Sequence, residues 1–600
     1  MRFLSTVLAS IIGGLFAIGI FTVFFLIVVA GIAAMDTGRP VVHDGSVLTV
    51  RLGGHIPEIS EAAPVQFLLG ERPVITLREL TRAIRYAADD RRIHGLLIIP
   101  ASSGGSWAAL EEIRSAVLAF RESGKPTVAT STANGFSERG YFVASAAEHV
   151  YSPELGGFEL NGFVLIAQFL KGLMDKVGVS VEAVRAGRFK SAVEPFTREH
   201  ASDEFREQLQ DLVDSQEETF LAAVADGRGI DYESLRGMVE SAGVTDAEDA
   251  LAAGLLDGLL TENEVMALFA DSLLADLTDP QFVAAFDYAR ALPAIVGNGS
   301  SESVVAVVYA VGTIVEGDGG SDPDPLFGGR RVGSRDLIKA LREIDDDDRV
   351  KAVVLRIDSP GGSGPASDVV YRAVEQTAST KPVIASFGGF AASGGYFIAA
   401  GADSIVADAS TITGSIGVFS LAIDVSDLLN DKLGITFDAV KTAPSADMFS
   451  GLRALTPFER RILESGVDRM YERFTKVVAE GRGLRITEVL ALAEGRAWSG
   501  RQATINGLVD RMGTLDDAID MAARAAAVDS VGYRIRIYPR EKTLLERLWR
   551  FASTTESRAL GDAFDGSVIS PAVRQIRLLG ELERMHGSVE ARIPMSIAIE

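Results

Sequence analysis

Cysteine is absent from the 600 residues, which excludes a thiol nucleophile, a disulfide framework and thiolate metal sites, and leaves redox compartment open. Histidine is scarce: His43, His55, His94, His149, His200 and His586 are the whole set, and none has a convincing carboxylate partner motif. Lysine is scarce too, at 11, which narrows the search for an amine base. Positive charge is outweighed, and a formal net charge of −24 argues against nucleic acid or any other polyanionic partner, because phosphate binding needs a basic surface. There is no long low-complexity tract. With 47% hydrophobic and 23% charged residues the composition is that of a globular chain. Its length exceeds what one core organises, so several domains are expected.

Charge is also missing between Phe3 and Met35, a run that includes Ile18–Val29. About 20 apolar residues cross a bilayer, so this stretch predicts a retained transmembrane helix. A cleaved signal peptide normally has an apolar region of only about 7–15 residues. Arg2 and the amino-terminal charge favour a cytoplasmic start, which sends the remaining chain outward.

What is present is a duplication. Arg92–Ile99 leads into Ser103-Gly104-Gly105-Ser106, and Arg349–Ile357 leads into Pro360-Gly361-Gly362-Ser363. Each copy continues through a helix-like stretch (Leu110–Phe120, Val369–Thr377) to Gly124–Ala129 or Thr380–Ala385, and then to Gly140–Ala144 or Gly395–Ala399. The separations Gly104 to Gly361 and Gly140 to Gly395 are nearly equal, which chance matches would not give. Short β-branched runs alternating with amphipathic segments predict α/β units with buried strands. The chain then divides into an anchor (1–36), a first repeat (45–277), a bridge and linker (278–303), a second repeat (304–535) and an extension (536–600) of unassigned role. The extension has helix candidates at Lys542–Ser553 and Pro571–His586.

Ala391-Ala392-Ser393-Gly394-Gly395-Tyr396 follows the strand-like Val383–Ser386 and precedes the helix-like Tyr396–Ala400. A serine at such a junction has its hydroxyl near free amides, where negative charge is favoured, and the glycines admit a substrate backbone. The same hexapeptide also reads as a helix N-cap with packing glycines. Asp358-Ser359-Pro360-Gly361-Gly362-Ser363 is a glycine turn after a strand. Two such turns side by side could aim two backbone N–H groups at one oxyanion; taken alone it is simply a turn. The copies differ informatively. Glu138 stands in the first where Ser393 stands in the second, and Lys190 in the first falls opposite Ala446. Each copy thus keeps half of a possible nucleophile–base pair. A serine needs a base within hydrogen-bond reach, and a lysine serves if burial lowers its pKa. A solvated surface role for Lys190 stays open, with Lys441 the next lysine to consider.

Together, Asp358–Gly362, Ala391–Tyr396, Thr413-Gly414-Ser415-Ile416-Gly417 and Phe189–Phe196 resemble the long, two-repeat form of the bacterial signal peptide peptidase A family, over roughly residues 1–530. The resemblance implies tandem crotonase-like (Clp protease-like) α/β domains behind one transmembrane helix. It implies a serine protease that digests remnant signal peptides at the cytoplasmic membrane, with its catalytic part on the outer side, as a homotetramer. It carries the nucleophile to Ser393, the general base to Lys190, a lysine-orienting role to Ser415 and the oxyanion-hole N–H groups to Gly362 and Gly394. It calls for no cofactor and no metal ion. Two rivals stand beside it, an acyl-CoA-processing enzyme of the same fold and a catalytically inert membrane scaffold.

Overall fold

The computed structural model describes residues 40–59, 74–103, 105–274, 280–292, 302–322, 329–528, 532–539 and 589–592. The expected anchor at 1–36 and both helix candidates of the extension lie outside the described residues. Among the described residues no helix is long and apolar enough to cross a membrane.

In the first repeat the β-branched runs form β1 (Ser46–Gly54), β2 (Ile93–Ser103), β3 (Thr127–Thr130) and β4 (His149–Ser152). β5 (Ser180–Ala186) leaves this sheet, while β6 (Gly258–Leu259) and β7 (Gln281–Ala284) close its edges in the order β6-β4-β3-β2-β1-β7. Each pairing is parallel, as crossover helices on the faces require. Those helices include α1 (Leu77–Asp89), α2 (Trp107–Arg121), α3 (Glu138–Ala144) and α4 (Asp203–Arg228). Thr76 and Glu79 cap α1 reciprocally, satisfying amides that have no carbonyl one turn back.

The second repeat begins with β8 (Val304–Val311), whose unbroken apolar run suits a strand covered on both faces. β9 (Thr313–Val315), β10 (Gly320–Asp322), β11 (Gly329–Gly333), β12 (Val350–Ser359), β13 (Gly361–Ser363), β14 (Val383–Ala392), β15 (Ser404–Ala407), β16 (Ile412–Gly414), β17 (Val418–Asp424), β18 (Ala497–Ser499), β19 (Arg534–Tyr538) and β20 (Glu590–Arg592) follow. One sheet runs β18-β16-β14-β12-β8-β19, with β15 also beside β14. Its helices include α5 (Ser334–Asp345), α6 (Gly364–Ala378), α7 (Gly394–Ala399), α8 (Pro457–Arg482) and α9 (Leu515–Ala525). A further sheet, β10-β11-β9-β13-β20-β17-β5, draws strands from both repeats.

The duplication is visible in matched hydrogen bonds. Tyr141 Oη donates to the Leu255 carbonyl at 2.6 Å, and Tyr396 Oη to that of Leu508 at 2.7 Å. Val150 N donates to Asp257 and Ile405 N to Asp510, each at 2.7 Å. Arg92 grips Asp90 as Arg349 grips Asp347.

The boundaries differ from the expected ones at two places. Residues 281–291, expected within the bridge, form β7 and a helix that complete the first repeat. Tyr288 there is buried, and its hydroxyl donates to Asp90 at 2.8 Å. The apolar side chains Ala285, Tyr288 and Leu292 have a core to cover, which a linker does not. The second repeat likewise extends past 535, because β19 pairs with β8 through Tyr538.

The repeats are fastened together. β5 of the first pairs antiparallel with β17 of the second, from Val418↔Ala186 to Asp424↔Ser180. Ser215 and Ser499 share a hydrogen bond of 2.7 Å, and Gln208 accepts from Ala497 N at 2.8 Å. Fully buried Arg356 of the second repeat reaches Glu58 at 2.6 Å and Glu112 at 2.7 Å in the first.

Candidate active site

Ser393 sits where β14 gives way to α7, with φ 54° and ψ −114°. Non-glycine residues seldom adopt positive φ, and such strain persists only where the surroundings enforce it. Here Ser393 N donates to Gly414 O at 2.8 Å and its carbonyl accepts from Phe397 N at 2.8 Å, fixing the residue on both sides. The hydroxyl is fully buried and its hydrogen-bond partners are Lys190 Nζ and, at 3.4 Å, the Gly417 carbonyl. Among the described residues no histidine is a partner.

Lys190 follows β5. Its Nζ lies 2.6 Å from Ser393 Oγ and 3.0 Å from both the carbonyl and the hydroxyl oxygens of Ser415. Ser415, also at positive φ (49°), donates its hydroxyl to Gly495 O at 3.3 Å. The lysine is 1% exposed, and burial pulls its pKa well below the ordinary value of 10.5. Among the described residues no carboxylate hydrogen-bonds to Nζ to restore the charged form. The segment that carries it is pinned from both ends. Phe189 N donates to Glu494 O at 2.8 Å, and buried Glu194 pairs with Arg185 at 3.0 Å while accepting from Ser202 Oγ at 2.6 Å.

Gly362 and Gly394 are brought side by side: a β-carbon built on Gly394 would lie 3.2 Å from Gly362 N and 2.6 Å from Ser367 Oγ. Gly394 is the first residue of α7, so its amide has no carbonyl one turn back. Gly362, at φ 151°, lies so close to Ile314 that a side chain there would overlap the Ile314 carbonyl. These two amides, the serine and the amine therefore occupy one locus drawn from β13, the junction of β14 and α7, the segment after β5 and the turn after β16.

Lys441, the alternative base, lies elsewhere, held by Asp447 at 2.5 Å. Glu138, the counterpart of Ser393, accepts from the amides of Asn161 at 2.8 Å and Gly162 at 3.1 Å, so the first copy uses that position to hold its own chain. Sequence reasoning missed Gly495 and β20, and gave Gly417 no role of its own. A Glu-Gly pair signals a turn, but nothing in it says that the turn closes on a lysine far away in the chain.

The model of peptidase family S49 matches residues 119–276 and again 375–529, and that of Clp protease matches 331–411. Protease 4 of Salmonella typhi is 32% identical over 83% of this chain and 79% of its own length. The chloroplastic serine protease SPPA of Arabidopsis thaliana is 32% identical over 81% and 70%. Protease 4 of Haemophilus influenzae is 30% identical over 75% and 72%.

Proposed function

The chain belongs to peptidase family S49 and is a serine protease, and from that premise we propose that it digests remnant signal peptides with Ser393 as nucleophile and Lys190 as general base. The observation that carries the reading is the 2.6 Å contact between two fully enclosed groups, a hydroxyl and an amine whose protonated form burial disfavours. Neutral Lys190 takes the Ser393 proton as Oγ attacks the scissile carbonyl. The Gly362 and Gly394 amides stabilise the oxyanion. Lys190 then protonates the departing amine, and water, its proton taken by the same lysine, hydrolyses the acyl-serine. Ser415 holds the amine in line through the hydroxyl and carbonyl oxygens.

The uncharged amino-terminal run anchors the chain in the bacterial cytoplasmic membrane, with both repeats outside, and the protein works as a homotetramer. Peptides left in the bilayer are apolar, which suits a site whose burial disfavours the charged amine. A fluorophosphonate probe tests the dyad. It labels the wild-type chain at Ser393, fails on Ser393→Ala and labels Lys190→Ala at a small fraction of the wild-type rate, with unchanged circular dichroism. Equal labelling of Lys190→Ala overturns the assignment of the base. Extraction from membranes by detergent but not by carbonate tests the anchor, and sedimentation of the extracted protein tests the tetramer.

A further inference from the structure

The carboxy-terminal extension supplies one strand to the sheet that bears the site. β20 lies between β13 and β17, antiparallel to both. The register is Gly361↔Arg592, Gly362↔Ala591 and Ser363↔Glu590 on one side and Phe419↔Glu590 on the other. Gly364 N donates to Val589 O at 3.0 Å. Hydrogen-bonded pairs recur every second residue along an antiparallel ladder, so the next pair sets the Ala591 carbonyl against the Gly362 amide. The same oxygen lies 3.1 Å from where a β-carbon on Gly394 would stand. A carbonyl of the chain itself thus sits against the Gly362 amide assigned to the oxyanion and close to Gly394, which bears the other.

The side chains fit as well as the backbone. Ala591 is fully buried among Val184 of the first repeat and Val418, Ala422, Leu463 and Val467 of the second, and Val589 packs on the same cluster. Alternate residues of an extended strand face the same way, so this face receives a small side chain and, two residues earlier, an aliphatic one. An extended peptide added to a sheet in this manner takes affinity from its main chain and selectivity from alternate side chains.

We propose that Val589–Arg592 occupies the peptide groove as an internal pseudosubstrate and holds the enzyme self-blocked, so that a substrate must displace it. The proposal rests on the protease reading for its consequence, but not for its binding test. Ala591→Trp overfills the enclosed position and evicts the strand, and Val589→Asp does so by placing a charge on the apolar cluster. In the full-length Ser393→Ala background, where the tail cannot be cut, a fluorescein-labelled peptide of residues 587–594 is titrated and read by anisotropy. Freeing the groove raises apparent affinity by the reciprocal of the open fraction, about tenfold or more when the closed state dominates. Both evicting variants are expected to show that gain, and with Ser393 intact to lower KM for a fluorogenic peptide by a similar factor. An unchanged Kd in both variants overturns the proposal. A Kd that tightens in a chain that cleaves nothing when Ser393 is present leaves the blocked groove standing and overturns the protease reading instead.

Discussion

Gly495 of the second repeat closes over Lys190 of the first: a β-carbon on Gly495 would lie 2.6 Å from the lysine's backbone nitrogen and 2.7 Å from its Cα. The glycine is at φ 78° and donates its N–H to Ile416 O at 2.8 Å, beside the Ser415 turn. Gly495→Ala therefore strains its own turn and pushes the amine off line. A displacement of about 1 Å costs roughly 10²-fold in rate. The expected result is a kcat loss of that order, with a melting temperature that falls only a few degrees.

Lys190→Arg discriminates base from mere cation. A guanidinium stays protonated and cannot accept the serine proton. Both Lys190→Arg and Lys190→Ala are expected to lose about four powers of ten or more in kcat, by analogy with removal of one member of a catalytic triad. Substantial activity in the arginine variant would mean that the charge, not the basicity, matters.

The lowered pKa of Lys190 has a defined sign. Between the folded-state pKa and 10.5 the unfolded chain holds a proton that the folded chain lacks, so stability rises with pH across that window and falls as pH drops through it. Lys190→Met removes the cost of burying the amine. It should melt higher than wild type at neutral pH, with an advantage that shrinks as pH approaches 10.5. In kinetics the same group gives kcat/KM an acid limb, rising with pH at values well below 10.5. Melting curves of the two chains check the first, and the pH–rate profile of the wild type checks the second.

Ser415→Ala removes one oxygen that Nζ donates to at 3.0 Å and keeps the other, the carbonyl of the same residue. The expected loss in kcat is about 10–100-fold, with KM little changed. Since an accepting hydroxyl favours the ammonium form, its removal also shifts the acid limb to lower pH.

Arg356→Met addresses the joint between the repeats. It leaves Glu58 and Glu112 without their buried partner, and burial already pushes Glu112 up to about 7. Breaking such a pair from one side costs about 3–5 kcal/mol. Urea unfolding should show that loss, and Arg356→Met with Glu58→Gln and Glu112→Gln should recover part of it.

Two carboxylates of the first repeat and one guanidinium of the second could not be paired by reading either stretch, whereas the repeats themselves could be read. A strand covered on both faces must be apolar along its length, so Val304–Val311 announces itself, and Leu110–Phe120 and Val369–Thr377 carry the helical period of α2 and α6. The loss of the serine in one copy and of the lysine in the other also made the two half-sites legible, because a duplication supplies its own internal comparison.

Sequence alone determined the doubled α/β pattern and the residue types able to carry the chemistry, since both are set by local periodicity and by the side chains themselves. Only tertiary structure decided that an amine and a hydroxyl 203 positions apart share one enclosed point, that Gly495 presses on Lys190, and that three residues near the end of the chain complete a sheet. The reason is physical. A strand as short as Glu590–Arg592 has no periodicity of its own and takes its extended form from the two edges it joins, while the lysine's altered basicity comes from the water that packing excludes.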